Sequence, residues 1–82
     1  MPSYALKDED FRDGSIDILA VLTASGLAAS RSEARRNVQQ GGVSVDGVQE
    51  KDPAKTFARE DFAGDGKVVK RGKKNFVRVY SE

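Results

Sequence analysis

The chain has 82 residues with no cysteine and no histidine, so we expect one small domain without disulfides or a zinc site of the usual kinds. No apolar run approaches the roughly 18 residues that a membrane-spanning helix needs, and no signal-peptide h-region is present. The net charge is only +1, but residues 1–18 hold two basic and five acidic side chains, whereas residues 67–78 hold six basic and no acidic ones. One side of such a polarised chain can bind a polyanion while the total stays near neutral.

The N-terminal part of the chain predicts a linker followed by a first helix. Residues 1–14 are polar and acidic, and we interpret them as a linker or a partly ordered N-terminal segment. Ser15 is the predicted N-cap of the helix, with Asp17 in its first turn, where the helix dipole favours an acid. Apolar residues then recur at helical spacing until Gly26, which ends the helix. This apolar stripe predicts core, and a partner-binding amphipathic helix is the alternative.

Residues 30–47 predict a capped helix that leads into a tight hairpin. Ser30 and Glu33 have the spacing of a capping box. The pair Gly41-Gly42 is a helix stop, because glycine adopts the left-handed conformation at little cost. Asp46-Gly47, which lies between valines, predicts a type I′ turn.

The predicted second helix has two unlike faces. At about 100° per residue, Ala34 and Val38 fall on one side. The opposite side carries polar residues, namely Arg31, Ser32, Arg35, Arg36 and Gln39. Arginine forks suit phosphate oxygens, and a helix N-terminus favours anions. The alternative is a solvated charged face that binds no ligand.

The segment between this hairpin and the C-terminal strands carries weaker signals. Asp52-Pro53 predicts a turn. Residues 55–57 are a candidate edge strand, and residues 59–66 predict a loop that Phe62 attaches to the core.

A second hairpin is predicted near the C-terminus. Strand-like residues 67–70 and 75–80 flank a tip that carries more lysine and arginine than protection of a strand edge requires. We expect this tip to project from the same side as the N-terminal end of the second helix. In the last strand Phe76, Arg78 and Tyr80 share one face, and Val77 and Val79 share the other. Periodicity alone does not identify the core face, but packing of the two aromatic rings under the helices is favoured over stacking on bases.

Three stretches carry a resemblance to known families. Residues 27–36 (LAASRSEARR) and 40–47 (QGGVSVDG) resemble the RNA-binding module first known from small-subunit ribosomal protein four, here called the S-four-type domain. The resemblance implies an α+β fold for residues 15–82, with two short helices packed on a small, mostly antiparallel sheet (an alpha-L-type motif). Residues 69–76 (VKRGKKNF) resemble the last segment of bacterial-type tyrosyl-tRNA synthetases. Residues 63–66 depart from that family, because they are more glycine-rich than its usual loop.

The resemblance to the synthetases implies binding of tRNA, towards the variable arm and anticodon stem of tyrosine tRNA, by phosphate and shape contacts. The residues that this interpretation assigns to RNA binding are Arg31, Ser32, Arg35, Arg36, Lys70, Arg71, Lys73 and Lys74. The resemblance also implies a catalytic domain upstream in the same polypeptide, a homodimeric full-length enzyme and a cytoplasmic location without membrane contact.

No catalytic role is expected for this chain by itself. The family's ATP-binding signatures are absent, so ATP binding belongs only to the full-length enzyme, and no catalytic, cofactor-binding or metal-binding residue is predicted here. Three alternatives stay open. They are a stand-alone S-four-type protein on ribosomal RNA, the accessory domain of an RNA-modifying enzyme such as a pseudouridine synthase, and a protein-interaction module.

Overall fold

Two helices and seven strands form in the described part of the chain, residues 2–72 and 74–81 of a computed structural model. The helices are α1 (Ile18–Ala24) and α2 (Arg31–Gln39). The strands are β1 (Ser3–Leu6), β2 (Ser15–Asp17), β3 (Val43–Val45), β4 (Val48–Gln49), β5 (Thr56–Ala58), β6 (Lys67–Arg71) and β7 (Asn75–Ser81). Short 3-10 turns span Asp8–Asp10 and Arg59–Phe62. Neither α1 nor α2 is long and apolar enough to span a bilayer.

Five of these strands form one sheet in the order β1-β7-β6-β3-β4. Three of its pairings are antiparallel, and β1 runs parallel to β7. Strands β2 and β5 form a separate antiparallel pair. Two short helices with a mostly antiparallel sheet confirm the predicted α+β fold class.

One face of the larger sheet forms the core together with the helices. On that face Val69, Val77 and Val79 are at most 8% exposed, and α2 contributes Ala34 and Val38, both fully buried. Helix α1 adds further aliphatic side chains, namely Ile18, Leu19, Val21 and Leu22. Burial of this apolar surface is the main favourable contribution to folding in so small a domain. The apolar stripe of the first helix is therefore core, as predicted.

The local geometry of residues 30–47 confirms the predicted helix and turn. The Ser30 Oγ accepts a hydrogen bond from the Glu33 N–H (3.2 Å), as an N-cap should. At the other end, the N–H groups of Gly41 and Gly42 donate to the carbonyls of Val38 and Asn37 at 3.0 and 2.9 Å, which is a Schellman motif. The turn between β3 and β4 has positive φ at both central positions, 51° at Asp46 and 83° at Gly47.

The prediction that Ser15 caps the first helix is wrong. Ser15 lies in β2, where Ile16 pairs with Phe57 of β5 and is only 3% exposed. The helix begins after this pairing ends, and its N-cap is Asp17, whose Oδ1 accepts from the Ala20 N–H at 2.9 Å. Burial of Ile16 in the small sheet thus keeps the chain extended at Ser15 and moves the cap to the next acceptor along the chain.

The acidic N-terminal segment contributes to the sheet. Residues 3–6 form β1, and Leu6 is 1% exposed in the core. The Pro2 carbonyl accepts from the Arg78 N–H (2.9 Å), which extends the contact with β7. A 3-10 turn follows, in which an Asp10 carboxylate oxygen accepts from the Lys7 N–H at 2.9 Å. The edge strand of the sheet therefore begins at residue 3, whereas the predicted domain begins at residue 15.

Packing of Phe76 and Tyr80 under the helices, which the sequence analysis favoured, is also wrong. Val77 and Val79 occupy the helix side of β7, so Phe76, Arg78 and Tyr80 lie on the opposite side. Phe76 is 37% exposed. The physical reason is that the compact valines fit closely beneath two short helices, whereas two bulky rings would hold the helices away from the sheet.

The segment before β6 is attached to the core by aromatic packing. β5 pairs with β2, and residues 59–62 form a 3-10 turn instead of irregular loop. Phe62 is fully buried, as predicted, and its ring meets that of Phe57 edge-to-face with 5.5 Å between centroids.

Candidate nucleic-acid interface

Helix α2 presents two arginines to solvent. Ala34 and Val38 hold one side of the helix against the core, so Arg35 and Arg36 are exposed on the other side. Within residues 2–72 and 74–81, neither guanidinium lies within 4 Å of a carboxylate oxygen. Ser32 is exposed on the same helix. These two cations can therefore meet a polyanion without first breaking an ion pair.

Arg31 has a different environment, because it binds Asp17. Its Nη2 lies 2.6 Å from one carboxylate oxygen and its Nη1 lies 3.5 Å from the other, so the guanidinium faces the carboxylate as a fork with one short and one long arm. Burial acts to raise the pKa of Asp17, but hydrogen bonds from Arg31 and from the Ala20 N–H, with the arginine charge, outweigh it and lower the pKa. Arg31 thus links the start of α2 to the start of α1, and a phosphate would compete with Asp17 for it.

The hairpin between β6 and β7 contacts the chain just after α2. The Gly72 N–H donates to the Gly42 carbonyl at 2.8 Å, which holds the tip beside the end of the helix. The tip thus adjoins the C-terminal end of α2, and its projection from the same side of the domain as the N-terminal end stays a prediction. The Schellman ending is the reason for this contact, because it turns the chain directly from the helix into β3, and β3 pairs with β6.

The basic residues of this hairpin occupy both sides of the sheet. Arg71 pairs with Val43 and shares the helix side of the sheet, where its Nε is buried without a hydrogen-bond partner among the described atoms. Lys70 is one residue earlier and points to the opposite side. Lys74 is exposed at the tip. Lys73, also predicted to bind RNA, lies outside the described residues.

A further cation, Lys51, was missed by the sequence analysis. Its Cε would lie 3.4 Å from a β-carbon placed on Gly41, so it sits at the end of α2. Gln49, in β4, also reaches this end and donates from Nε2 to the Gly41 carbonyl at 2.7 Å. The predicted hairpin already indicated this position for Lys51. The strand after the type I′ turn runs antiparallel to β3 and so returns towards Gly41-Gly42, which precede β3.

The structure therefore gathers basic side chains along α2 and at its end. The nine-residue helix rises about 14 Å. Arg35 and Arg36 lie along it, Lys51 and Arg71 lie near its C-terminal end, and Lys74 is exposed at the adjoining hairpin tip. No group of three or more acidic side chains in the described residues could hold a metal ion. Basic side chains along a helix and on a neighbouring hairpin suit a phosphate backbone better than a small ligand.

Comparisons with known proteins agree on one family. The family model described as Tyrosine-tRNA ligase SYY-like C-terminal domain matches residues 1–79. The tyrosine-tRNA ligase of Lachnoclostridium phytofermentans is 44% identical over 77 residues, which are 93% of this chain and 18% of that protein. Those of Clostridium perfringens (strain SM101) and Clostridium botulinum (strain Loch Maree) are 35% and 34% identical over 96% and 100% of this chain, and over 19% of each relative. The chain thus spans about a fifth of the length of the curated relatives it matches.

Proposed function

The chain belongs to the family of tyrosine-tRNA ligase SYY-like C-terminal domains, and from that premise we propose that it binds tRNA as part of such a ligase. The target is the variable arm and anticodon stem of tyrosine tRNA. The observation that best supports this proposal is the exposed pair Arg35 and Arg36 on α2, with no carboxylate near either among the described residues. Phosphate contacts of this kind position a folded RNA without reading its sequence.

The remaining parts of the proposal concern the whole enzyme. A catalytic domain upstream in the same polypeptide would bind ATP and tyrosine, and the full-length enzyme would be a cytoplasmic homodimer. This domain would act without a cofactor, because holding RNA by its backbone needs only charge and shape. The relatives named above, of which the chain covers about a fifth, support this division of labour.

A salt series tests the RNA surface. Each lost phosphate contact should lower the slope of log affinity against log salt by roughly 0.7–0.9. We expect Arg35→Ala, Arg36→Ala and Lys74→Ala each to weaken binding of a tRNA with a long variable arm at low salt, and each to flatten that slope. Circular dichroism checks that the variants stay folded, as their exposed positions predict.

Lys7→Ala is the matched control for the lysine variant. Lys7 is also exposed, but it follows Leu6, which pairs with Ser81 at the end of β7 remote from the hairpin tip. Its removal should leave the slope unchanged. A slope that stays the same in all three test variants, or that falls equally in Lys7→Ala, would contradict the proposed surface.

A further inference from the structure

The face of the larger sheet that the helices leave uncovered has its own composition. The strand pairings place Lys70 opposite Phe76, and Val68 opposite Arg78. The strand residues of this face, as alternation and register assign them, are Ser3, Ala5, Ser44, Val68, Lys70, Phe76, Arg78 and Tyr80. Two of them are basic, two are aromatic and none is acidic. Asp46, in the turn beside Val68, is the acidic neighbour of this face, and its carboxylate is engaged by the Val68 N–H and by Lys67. A face with two basic side chains and the exposed ring of Phe76 is complementary to an anionic ligand that also has flat apolar groups.

Phe76 lies on this face near the hairpin end of β7, where β1 no longer runs beside that strand. It is 37% exposed, and only Val48 among the other large apolar side chains of residues 2–72 and 74–81 is also exposed. Lys70 of β6 lies directly opposite Phe76. Arg78 lies two residues after Phe76 in β7, about 7 Å away along the backbone. A nucleotide carries its base and its phosphate at a comparable separation. One exposed ring is also little apolar surface for a stable protein interface, which buries roughly 800 Å² of total surface per partner.

We propose that an unpaired nucleotide of the bound RNA stacks its base on Phe76, while Arg78 and Lys70 contact the adjoining phosphates. The inference rests on the proposed function and specifies a single-stranded element as part of its ligand. The hairpin tip connects the basic surface at α2 with the open face of the sheet. Lys70 of the open face adjoins Arg71 in β6, and Phe76 follows two residues after Lys74. A strand of RNA that leaves a helical stem held by α2 and the tip can pass around the tip to the open face.

Substitution at Phe76 tests stacking with two RNA probes. One is a short blunt RNA duplex, and the other is the same duplex with a single-stranded tail of uridines. Loss of a base–aromatic stack weakens binding by about 5- to 150-fold. Phe76→Leu, which keeps apolar area without an aromatic face, should weaken the tailed RNA by that factor and leave the blunt duplex unaffected. The salt slope should not change, because no charge is removed. Val48→Ala, the control at the other exposed apolar side chain, should have no effect.

Phe76→Trp gives a direct measurement of the contact. The chain has no tryptophan, so the introduced indole reports only on this position. We expect its fluorescence to be quenched by the tailed RNA and unchanged by the blunt duplex. Equal affinity of Phe76→Leu and the unmodified chain for the tailed RNA, with no quenching in Phe76→Trp, would overturn the proposal and leave the face to a protein partner. If Arg35→Ala still weakens both RNAs in that case, the proposed function stands and only the stacking is refuted.

Discussion

Exchange of Asp17 separates two roles that one carboxylate performs. Its Oδ1 caps α1 by accepting from the Ala20 N–H at 2.9 Å, and its Oδ2 lies 2.6 Å from Arg31 Nη2. Asp17→Ala removes the cap and the ion pair together. Asp17→Asn keeps an oxygen that can cap the helix and removes only the charge. The difference between the two variants therefore measures the cap.

The structure sets the expected magnitudes. Loss of an N-cap costs about 0.5–2 kcal/mol of unfolding free energy. The Arg31 side chain is 58% exposed, so solvent screens its pair with Asp17, which is worth about 0.2–1 kcal/mol. We expect Asp17→Ala to cost about 1–3 kcal/mol and Asp17→Asn to cost at most about 1 kcal/mol. In a domain of this size, 1 kcal/mol shifts the melting temperature by about 4–8 °C.

The pH dependence gives the same prediction a second test. The pKa of Asp17 is lowered in the folded state, so its carboxylate stabilises the fold fully above the unfolded pKa of about 3.9 and loses that effect as the pH falls through the folded pKa. Urea unfolding of the unmodified chain and of Asp17→Asn, followed by circular dichroism from pH 7 to pH 3, should give curves that converge in acid. Equal costs for Asp17→Ala and Asp17→Asn, or parallel pH curves, would refute the reasoning.

Two further substitutions test the packing. Gly66 has φ of 71°, and a β-carbon there would overlap the Val79 carbonyl oxygen and lie 2.8 Å from Tyr80 Cα, so Gly66→Ala should cost about 2–5 kcal/mol in urea unfolding. Gly64→Ala is its control, because Gly64 has φ of 70° but no described atom within 4 Å of its β-carbon position, and it should cost only about 1–2 kcal/mol. Equal losses would show that the close approach at Gly66 is unimportant. Leu6→Ala should cost about 2–5 kcal/mol in the same assay if β1 belongs to the core, and a loss within about 0.5 kcal/mol would exclude that.

The features that sequence reasoning predicted correctly depend on chemistry within a few residues. Ser30 is a cap because its hydroxyl reaches an N–H three positions on. Asp46-Gly47 forms the tight turn because both positions accept positive φ. Such signals act before any tertiary contact is made, and they lie in the stretch that also carried the family resemblance. For that reason the fold class and the exposure of Arg35 and Arg36 could be predicted without a structure.

The features that sequence reasoning missed depend on distant partners. Nothing near residues 3–6 signals a strand, because its partner is β7 at the other end of the chain. By alternation alone, either face of β7 could face the core. The choice is made by tertiary packing, which buries Val77 and Val79 and leaves Phe76 exposed. The link between Arg31 and Asp17 spans two helix starts. An acidic residue at the start of α1 and an arginine at the start of α2 suggest an ion pair. Sequence alone does not bring the two together, because their contact depends on the angle between the helices.

The parallel pairing of β1 with β7 has a kinetic consequence. Ser3 pairs with Arg78, so this contact closes a loop of almost the whole chain, and its entropic cost must be met before its hydrogen bonds form. A ribosome releases β1 first and β7 last, and until then Leu6 has no strand beside it. Synthesis of the final strand is therefore the step that commits this domain to its native state, and a chain cut short before β7 exposes the β6 edge to association with other chains.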